Sequence, residues 1–153
     1  MSDKLNLGCG RQIKSGYVNL DIINWEGVDI VRDVLRGIPF NDNWFDEVTA
    51  DYLITQIANN KDFIFVMNEV WRVLKRDGVF KLKVPDVRYT GTDSFNDPMD
   101  SRRFSKNTFD YLDVNHYRWS AFNYGFQPWI INQIIDEVGR PGRLYIEMTP
   151  ANK

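Results

Sequence analysis

The sequence predicts an α/β fold: a three-layer, mostly parallel sheet, shortened between its first two strands and closed by an antiparallel C-terminal hairpin. Three observations carry that expectation. Short β-prone runs separated by turns or crossovers extend from Lys4 to Pro85. One strongly periodic helix, Asp62–Lys75, interrupts them. Two further β-prone runs follow, divided at Gly139-Arg140-Pro141-Gly142.

Each element has its own signal. Lys4–Leu7 is a short apolar strand that runs into Gly8-Cys9-Gly10. Tyr17–Ile22 alternates apolar and polar residues after Gly16, and Val28–Arg32 is a third short strand. The stretch 38–44 is turn-rich, and Phe45–Ala50 then reads as a buried strand. In the helix, Phe63, Val66, Met67, Val70, Trp71 and Leu74 recur at three- and four-residue spacing, a broad apolar stripe. Asp62 suits its N-cap, Lys75 and Arg76 its last turn, and Gly78 its stop. Val79–Val84 is the next strand, ended by Pro85.

Beyond it, residues 86–104 read as a long polar loop and Ser105–Asp113 as a short helix. The final runs, WIINQIIDEV and RLYIEMT, read as a hairpin. A helix over residues 129–138 competes, because the isoleucines at 130, 131, 134 and 135 also fit a helical face.

Composition narrows the function. A chain of 153 residues with 43% hydrophobic and 14% aromatic content suits one domain with a real core. The net charge of −2 argues against broad nucleic-acid binding. Cys9 is the only cysteine and His116 the only histidine, which leaves no intramolecular disulfide, no Cys-based zinc site and no His-rich metal cluster. No signal-peptide pattern and no run near the roughly 20 apolar residues of a membrane span occur, so a cytoplasmic protein without membrane contact is the expectation.

In sheets of this kind ligands bind beyond the carboxyl ends of the strands. That places Gly8–Gly10, Asp21, Asp33 and Ala50–Tyr52 on one edge. Glycines directly after a buried strand let the backbone approach a ligand, although a tight turn explains them equally well. A dinucleotide fingerprint needs a third glycine where Ile13 stands, and no Walker lysine follows. Asp21, ending the second strand, can accept from both hydroxyls of a ribose; the bland alternative is a turn-starting acid. Asp33 can accept from an adenine amino group, or simply cap the turn at 33–37. Cys9 has no neighbouring His or Lys cluster to activate it as a nucleophile.

Taken in order, KLNLGCG, GYVNLDI, IPFNDNWFDEV and EVWRVLKRDGVFKLKVPD resemble class I S-adenosylmethionine-dependent methyltransferases. More narrowly they are similar to the small bacterial predicted-methyltransferase group often linked to surface sugars, whose pattern is LNLGCG, GYVNVD, LPFPDNSFDEV and RVLKPGG ending in VPD. The resemblance covers residues 4–86 and implies a Rossmann-like methyltransferase sheet with S-adenosyl-L-methionine as cofactor. It further implies a cofactor-binding half, 1–86, and an acceptor or lid half, 87–153, within a single domain.

By the same resemblance Leu7, Gly8, Cys9 and Gly10 line the methionine part of the cofactor. Asp21 and its neighbour Ile22 hold the ribose, Asp33 and Val34 meet the adenine, and Ala50 and Asp51 contact the amino group and face the acceptor. Two departures stand out: Arg76-Asp77-Gly78 replaces the family's PGG turn, and Thr55-Gln56 stands where an acid and a histidine are frequent.

The acceptor side is expected in the second half. Residues 115–126, NHYRWSAFNYGF, mix rings with His116 and Arg118, and aromatic faces suit sugars or planar rings. His116 and Asp51 are the catalytic candidates; Asp86, Arg88, Arg102 and Arg103 are further contact candidates. Packing against the sheet is the competing role for the rings. The expected partner is a small-molecule or saccharide acceptor, with a reduced, non-catalytic binding module as the alternative. A nucleic-acid acceptor is disfavoured, since Ala50-Asp51-Tyr52-Leu53 replaces the Asn/Asp-Pro-Pro-Tyr/Phe string of amino-methylating DNA enzymes. The hairpin edge and surplus aromatics suit a homodimer. The long polar segment 87–125 is expected to move over the cofactor.

Overall fold

A computed structural model describes residues 3–89, 97–136 and 142–153. Its centre is a seven-stranded sheet built from β1 (Lys4–Leu7), β2 (Val18–Asp21), β3 (Ile30–Val31), β4 (Phe45–Asp51), β5 (Leu74–Pro85), β6 (Trp129–Asp136) and β7 (Arg143–Pro150). The spatial order is β3-β2-β1-β4-β5-β7-β6. Strands β1 to β5 pair in parallel, and β7 is antiparallel to both of its neighbours, β5 and β6. The α/β, mostly parallel sheet with antiparallel C-terminal strands is therefore the one the sequence predicts.

Residues 129–136 form a strand, which resolves the competition with a helix. Asp136 pairs with Leu144, and residues 137–141, including most of Gly139–Gly142, lie outside the described residues.

The two faces of the sheet differ. Strand β7 buries Leu144, Ile146, Met148 and Pro150 and leaves Arg143, Tyr145, Glu147 and Thr149 half-exposed, a strict period of two. On the apolar face lie Leu5, Leu7, Val18, Leu20, Val48, Phe80 and Leu82. Against it packs α1 (Asn60–Val73), which buries Phe63, Val66, Met67, Val70 and Val73. Each such side chain contributes roughly 1.5–3 kcal/mol of transfer free energy.

The opposite face is polar and is covered near β1 and β2 by the loop 8–17 instead of a helix. Beneath that loop Asn6 Nδ2 donates to Asn19 Oδ1 (2.9 Å) and to the carbonyl of Gln12 (2.8 Å), and the Lys14 N–H donates to Asn19 Oδ1 (2.9 Å). These bonds hold the compressed connection flat, so β1 and β2 stay parallel, with Leu5 opposite Val18.

Helix α1 departs from expectation at both ends. It begins earlier: Asn59 is the N-cap, its Oδ1 accepting from the N–H groups of Lys61 and Asp62, and Asp62 sits in the first turn. It also stops at Val73 without Gly78, because β5 starts at Leu74. The freed carbonyls are taken by tertiary donors. Asn43 and Trp44 N–H bond the carbonyls of Arg72 (3.0 Å) and Val73 (2.8 Å). Lys153 Nζ inserts among the carbonyls of Trp71, Arg72 and Leu74.

Gly78 instead serves a bulge. Between the pairs Phe45–Leu74 and Glu47–Val79 the register shifts, and a Cβ on Gly78 would lie 3.0 Å from the Phe45 carbonyl oxygen.

The described residues of the loop expected at 86–104 form turns and a single bridge, Asp86 to Phe104, while residues 90–96 lie outside the described residues. The short helix expected at Ser105–Asp113 is a 3₁₀ segment, Lys106–Tyr111, opened by a Ser105–Thr108 capping box. A five-residue helix, α2 (Tyr117–Ala121), follows with no forewarning in the sequence.

Candidate functional site

The carboxyl ends of β1 to β4 share one edge of the sheet, and a cavity of about 590 Å³ opens there. Gly8, Gly10, Asp21, Ile22, Asp33, Val34 and Asp51 line it. Leu7, Cys9 and Ala50 lie beside it with buried side chains, so they shape the wall through the backbone.

The cradle at the end of β1 depends on two left-handed glycines. Gly8 has φ 64°, and a Cβ there would lie 2.8 Å from Leu53 Cδ1. Gly10 has φ 52°, and its Cβ direction is open space. Between them Cys9 donates its N–H to the Leu20 carbonyl (3.1 Å) and accepts from the Gln12 N–H (2.8 Å). Burial, reinforced by the Asp21 charge, pushes the Cys9 thiol up to about 11. It therefore stays a neutral thiol at physiological pH.

Asp21 is the keystone of this edge. Its Oδ2 accepts from the Gly10 N–H (2.8 Å) and its Oδ1 from the Ile23 N–H (2.9 Å). Each carboxylate oxygen keeps further acceptor capacity toward the cavity. Asp33 uses Oδ1 to cap the turn at 34–36 through the Leu35 N–H (2.9 Å) while lining the cavity. The capping role and the wall position coexist.

Asp51 closes the edge at the end of β4. Its Oδ2 lies 3.6 Å from Lys14 Nζ and 4.0 Å from Lys83 Nζ. Lys14 also donates to Thr49 Oγ1 (2.9 Å), which ties the loop 8–17 to β4.

Tyr52, expected on this edge, and Gln56 also line the wall, and three further wall residues drew no notice in the sequence: Trp25, Leu35 and Ile57. The available signal was an aromatic residue in the glycine turn after β2. The Arg11 guanidinium lies 4.4 Å from the centroid of the Trp25 ring, holding it at the rim. Tyr52 has φ 62°, an unusual backbone for an aromatic residue directly after β4.

The acceptor candidates are distributed differently. His116 caps α2 through Nδ1, and its Nε2 lies 3.7 Å from Asp110 Oδ2, a carboxylate shared with Arg118. It does not line the cavity at the strand ends. Asp86 is fully buried and bound by Arg88 through both oxygens; burial alone would raise its pKa, but the Arg88 bonds outweigh it and hold the carboxyl below the usual range. Arg102 donates to the carbonyls of Ile57 and Ala58 and to Asn60 Oδ1. Arg103 donates to the Asp100 carbonyl.

The rings of residues 104–126 build a second cavity, about 330 Å³, between α1 and the 3₁₀ segment. Phe63, Tyr111, Tyr124 and Phe126 line it together with Arg102.

No family model and no curated protein matches the sequence. Solved structures do match in fold. A methyltransferase dependent on S-adenosylmethionine from Clostridium acetobutylicum superposes with a TM-score of 0.66 at 13% identity, covering 96% of this chain and 83% of the other. The 1,6-didemethyltoxoflavin-N1-methyltransferase of Burkholderia thailandensis, with S-adenosylhomocysteine bound, gives 0.67 at 12% identity, covering 96% and 70%. The cyclase SpnF gives 0.64 at 14% identity, covering 96% and 73%. At such identities the likeness concerns the backbone architecture alone, a Rossmann-like α/β sheet that this chain shares with S-adenosylmethionine-dependent methyltransferases and with a cyclase.

Proposed function

We propose that the protein is an S-adenosylmethionine-dependent methyltransferase acting on a small molecule or saccharide, of the small bacterial group its motifs resemble. The observation that carries this reading is the carboxylate of Asp21 at the end of β2, fixed by the Gly10 and Ile23 amides inside the 590 Å³ cavity. The residues present fit the cofactor. Asp21 keeps acceptor sites for two ribose hydroxyls, beside Ile22. Gly10 leaves open the space a side chain would fill. Val34, Leu35 and Ile57 offer apolar surface for a purine, with Asp33 at its edge as an acceptor.

On this reading Leu7, Gly8, Cys9 and Gly10 supply the turn that the methionine part follows, and Ala50 and Asp51 face its amino group. The cofactor brings an already activated methyl group, so the protein's task is alignment and exclusion of water. Asp51 lines the cavity and presents a carboxylate held between Lys14 and Lys83. His116 reaches the reaction only if the segment 87–125 folds over the cavity. Equal proteolysis of that segment with and without S-adenosylhomocysteine would exclude such a movement.

A second reading has its own support. Where an acid and a histidine are frequent in the resembled family, the Thr55 hydroxyl is occupied, 2.8 Å from the Tyr52 carbonyl and 2.6 Å from Asp100 Oδ1. SpnF, a cyclase, shares the fold. A binding module without transfer chemistry fits the occupied Thr55, and the cyclase shows that the fold is not confined to methyl transfer. Calorimetric titration of S-adenosylmethionine and S-adenosylhomocysteine, with Asp21→Ala alongside, tests the first reading. Micromolar binding abolished by the substitution is expected; no binding by the unmodified protein would give the second reading precedence.

A further inference from the structure

The 330 Å³ cavity is separated from the strand-end cavity by residues 57–60, and Arg102 stitches that partition together. Its size suits a one- or two-ring compound. Its walls are unusual in two respects.

The first is ring geometry. Phe63 meets Phe126 edge-on at 5.5 Å between centroids, and Tyr111 meets Tyr124 at 5.8 Å. Tyr124 is 54% exposed and its stacking partner Phe122 45%, so broad apolar faces stand at the mouth without cover. These rings touch one another and leave no slot between them, so a flat guest would lie against their outward faces in the cavity.

The second is charge. The Arg102 guanidinium lies 4.3 Å from the centroid of the Phe63 ring. Its three hydrogen bonds go to neutral oxygens: the carbonyls of Ile57 and Ala58, and the Asn60 amide. Nε and Nη2 make all of them, which leaves the Nη1 hydrogens uncommitted among the described residues. Arg118, by contrast, stands near Tyr111 but is paired with Asp110. Burial pulls the Arg102 pKa below the ordinary value with no carboxylate to oppose it. A half-buried cation with no anion beside it among the described residues favours binding one.

We propose that this cavity binds a planar aromatic carboxylate, its ring against Phe63, Tyr111, Tyr124 and Phe126 and its carboxylate on Arg102. The site goes beyond cofactor binding and does not depend on it.

The test is an amide-proton NMR titration of the full chain with indole-3-carboxylate and, separately, indole-3-carboxamide. The carboxylate shifts amides around residues 60–64, 108–112 and 124–126 saturably and binds about tenfold tighter than the carboxamide. Arg102→Gln abolishes that preference. Because Arg102 also braces residues 57–60, Tyr124→Ala serves as a second variant: it removes an exposed wall and weakens both ligands. Equal binding of the two ligands by the unmodified protein overturns the proposal, as does an unchanged preference in Arg102→Gln or the absence of saturable shifts. A parallel titration with S-adenosylhomocysteine separates the two readings. Carboxylate binding without S-adenosylhomocysteine binding supports this site while sinking the methyltransferase reading; the reverse result does the opposite.

Discussion

The cavity at the strand ends is made mainly of backbone turns, and the cavity beside α1 is made of side chains. In the first, Gly8, Gly10, Asp21 and Asp33 each follow or end a strand, and the sheet alone brings them together. In the second, Phe63 and Asn60 come from α1, whereas Arg102, Thr108, Tyr111 and Tyr124 come from a segment with little regular structure. A parallel sheet fixes one site by topology, so its chemistry is preset. The other is fixed by ring packing, so its chemistry can change with few substitutions.

If the two sites are independent in this way, their ligands respond to different substitutions. Asp21→Ala should weaken S-adenosylhomocysteine about a hundredfold, the value of two charge-assisted hydrogen bonds, and leave aromatic carboxylate binding unchanged. Calorimetry on the variant measures both. Loss of both ligands together would show that the cavities share one structural unit.

The next contrast lies inside the first cavity. Gly8→Ala should cost about 3 kcal/mol, combining left-handed strain with the 2.8 Å approach to Leu53. Gly10→Ala, strained but unobstructed, should cost about 1 kcal/mol. Urea denaturation of the two variants gives the difference. Equal costs would mean that Leu53 yields freely.

These contrasts explain what the sequence disclosed. KLNLGCG, the aspartate of GYVNLD and the aspartate after β3 are local strings whose positions follow from strand ends, so these residues of the first cavity's wall could be named, while Trp25, Leu35 and Ile57 could not. The second cavity could not be read in this way. Arg102 meets Phe63 and Asn60 across some forty residues of chain, and nothing local marks that meeting. The same distinction holds for α1. Its apolar stripe was plain, but its end is set by Asn43, Trp44 and Lys153, remote donors that replaced the expected glycine. Gly78 misled because a bulge and a helix stop look alike in sequence. The hydrogen bonds of Asn6 and Asn19 beneath the loop 8–17 were silent too, since a polar residue inside a short strand announces no partner.

Lys153 offers a smaller test. Burial lowers its pKa from 10.5 to about 8, so between those values the unfolded chain holds more protons than the native one. Stability carried by this residue therefore rises with pH across that window, by about 1 kcal/mol once the full linkage is discounted for solvent screening of a partly exposed group. Denaturation midpoints of the unmodified protein against Lys153→Met should diverge in that direction above about pH 8. Parallel curves would place the ammonium in solvent.

The slightest effect is expected at Cys9. With its thiol pushed up to about 11 and its side chain buried, iodoacetamide should leave the native protein unmodified at about pH 8 and label it once unfolded. Rapid native labelling would mean that the turn 8–10 opens readily.

The placement of β7 between β5 and β6 bears on how the chain is made. Lys81, Lys83 and Val84 meet Glu147, Tyr145 and Leu144, so β5 gains its second neighbour only when the last strand has emerged from the ribosome. Until then β5 is a bare edge twelve residues long. It is also an edge studded with Lys75, Arg76, Lys81 and Lys83. Lys75, Lys81 and Lys83 already lie against Asp46, Glu47 and Asp51 of β4. It is therefore the hydration of these charged groups that makes the edge a poor template for another chain while it waits for its own β7.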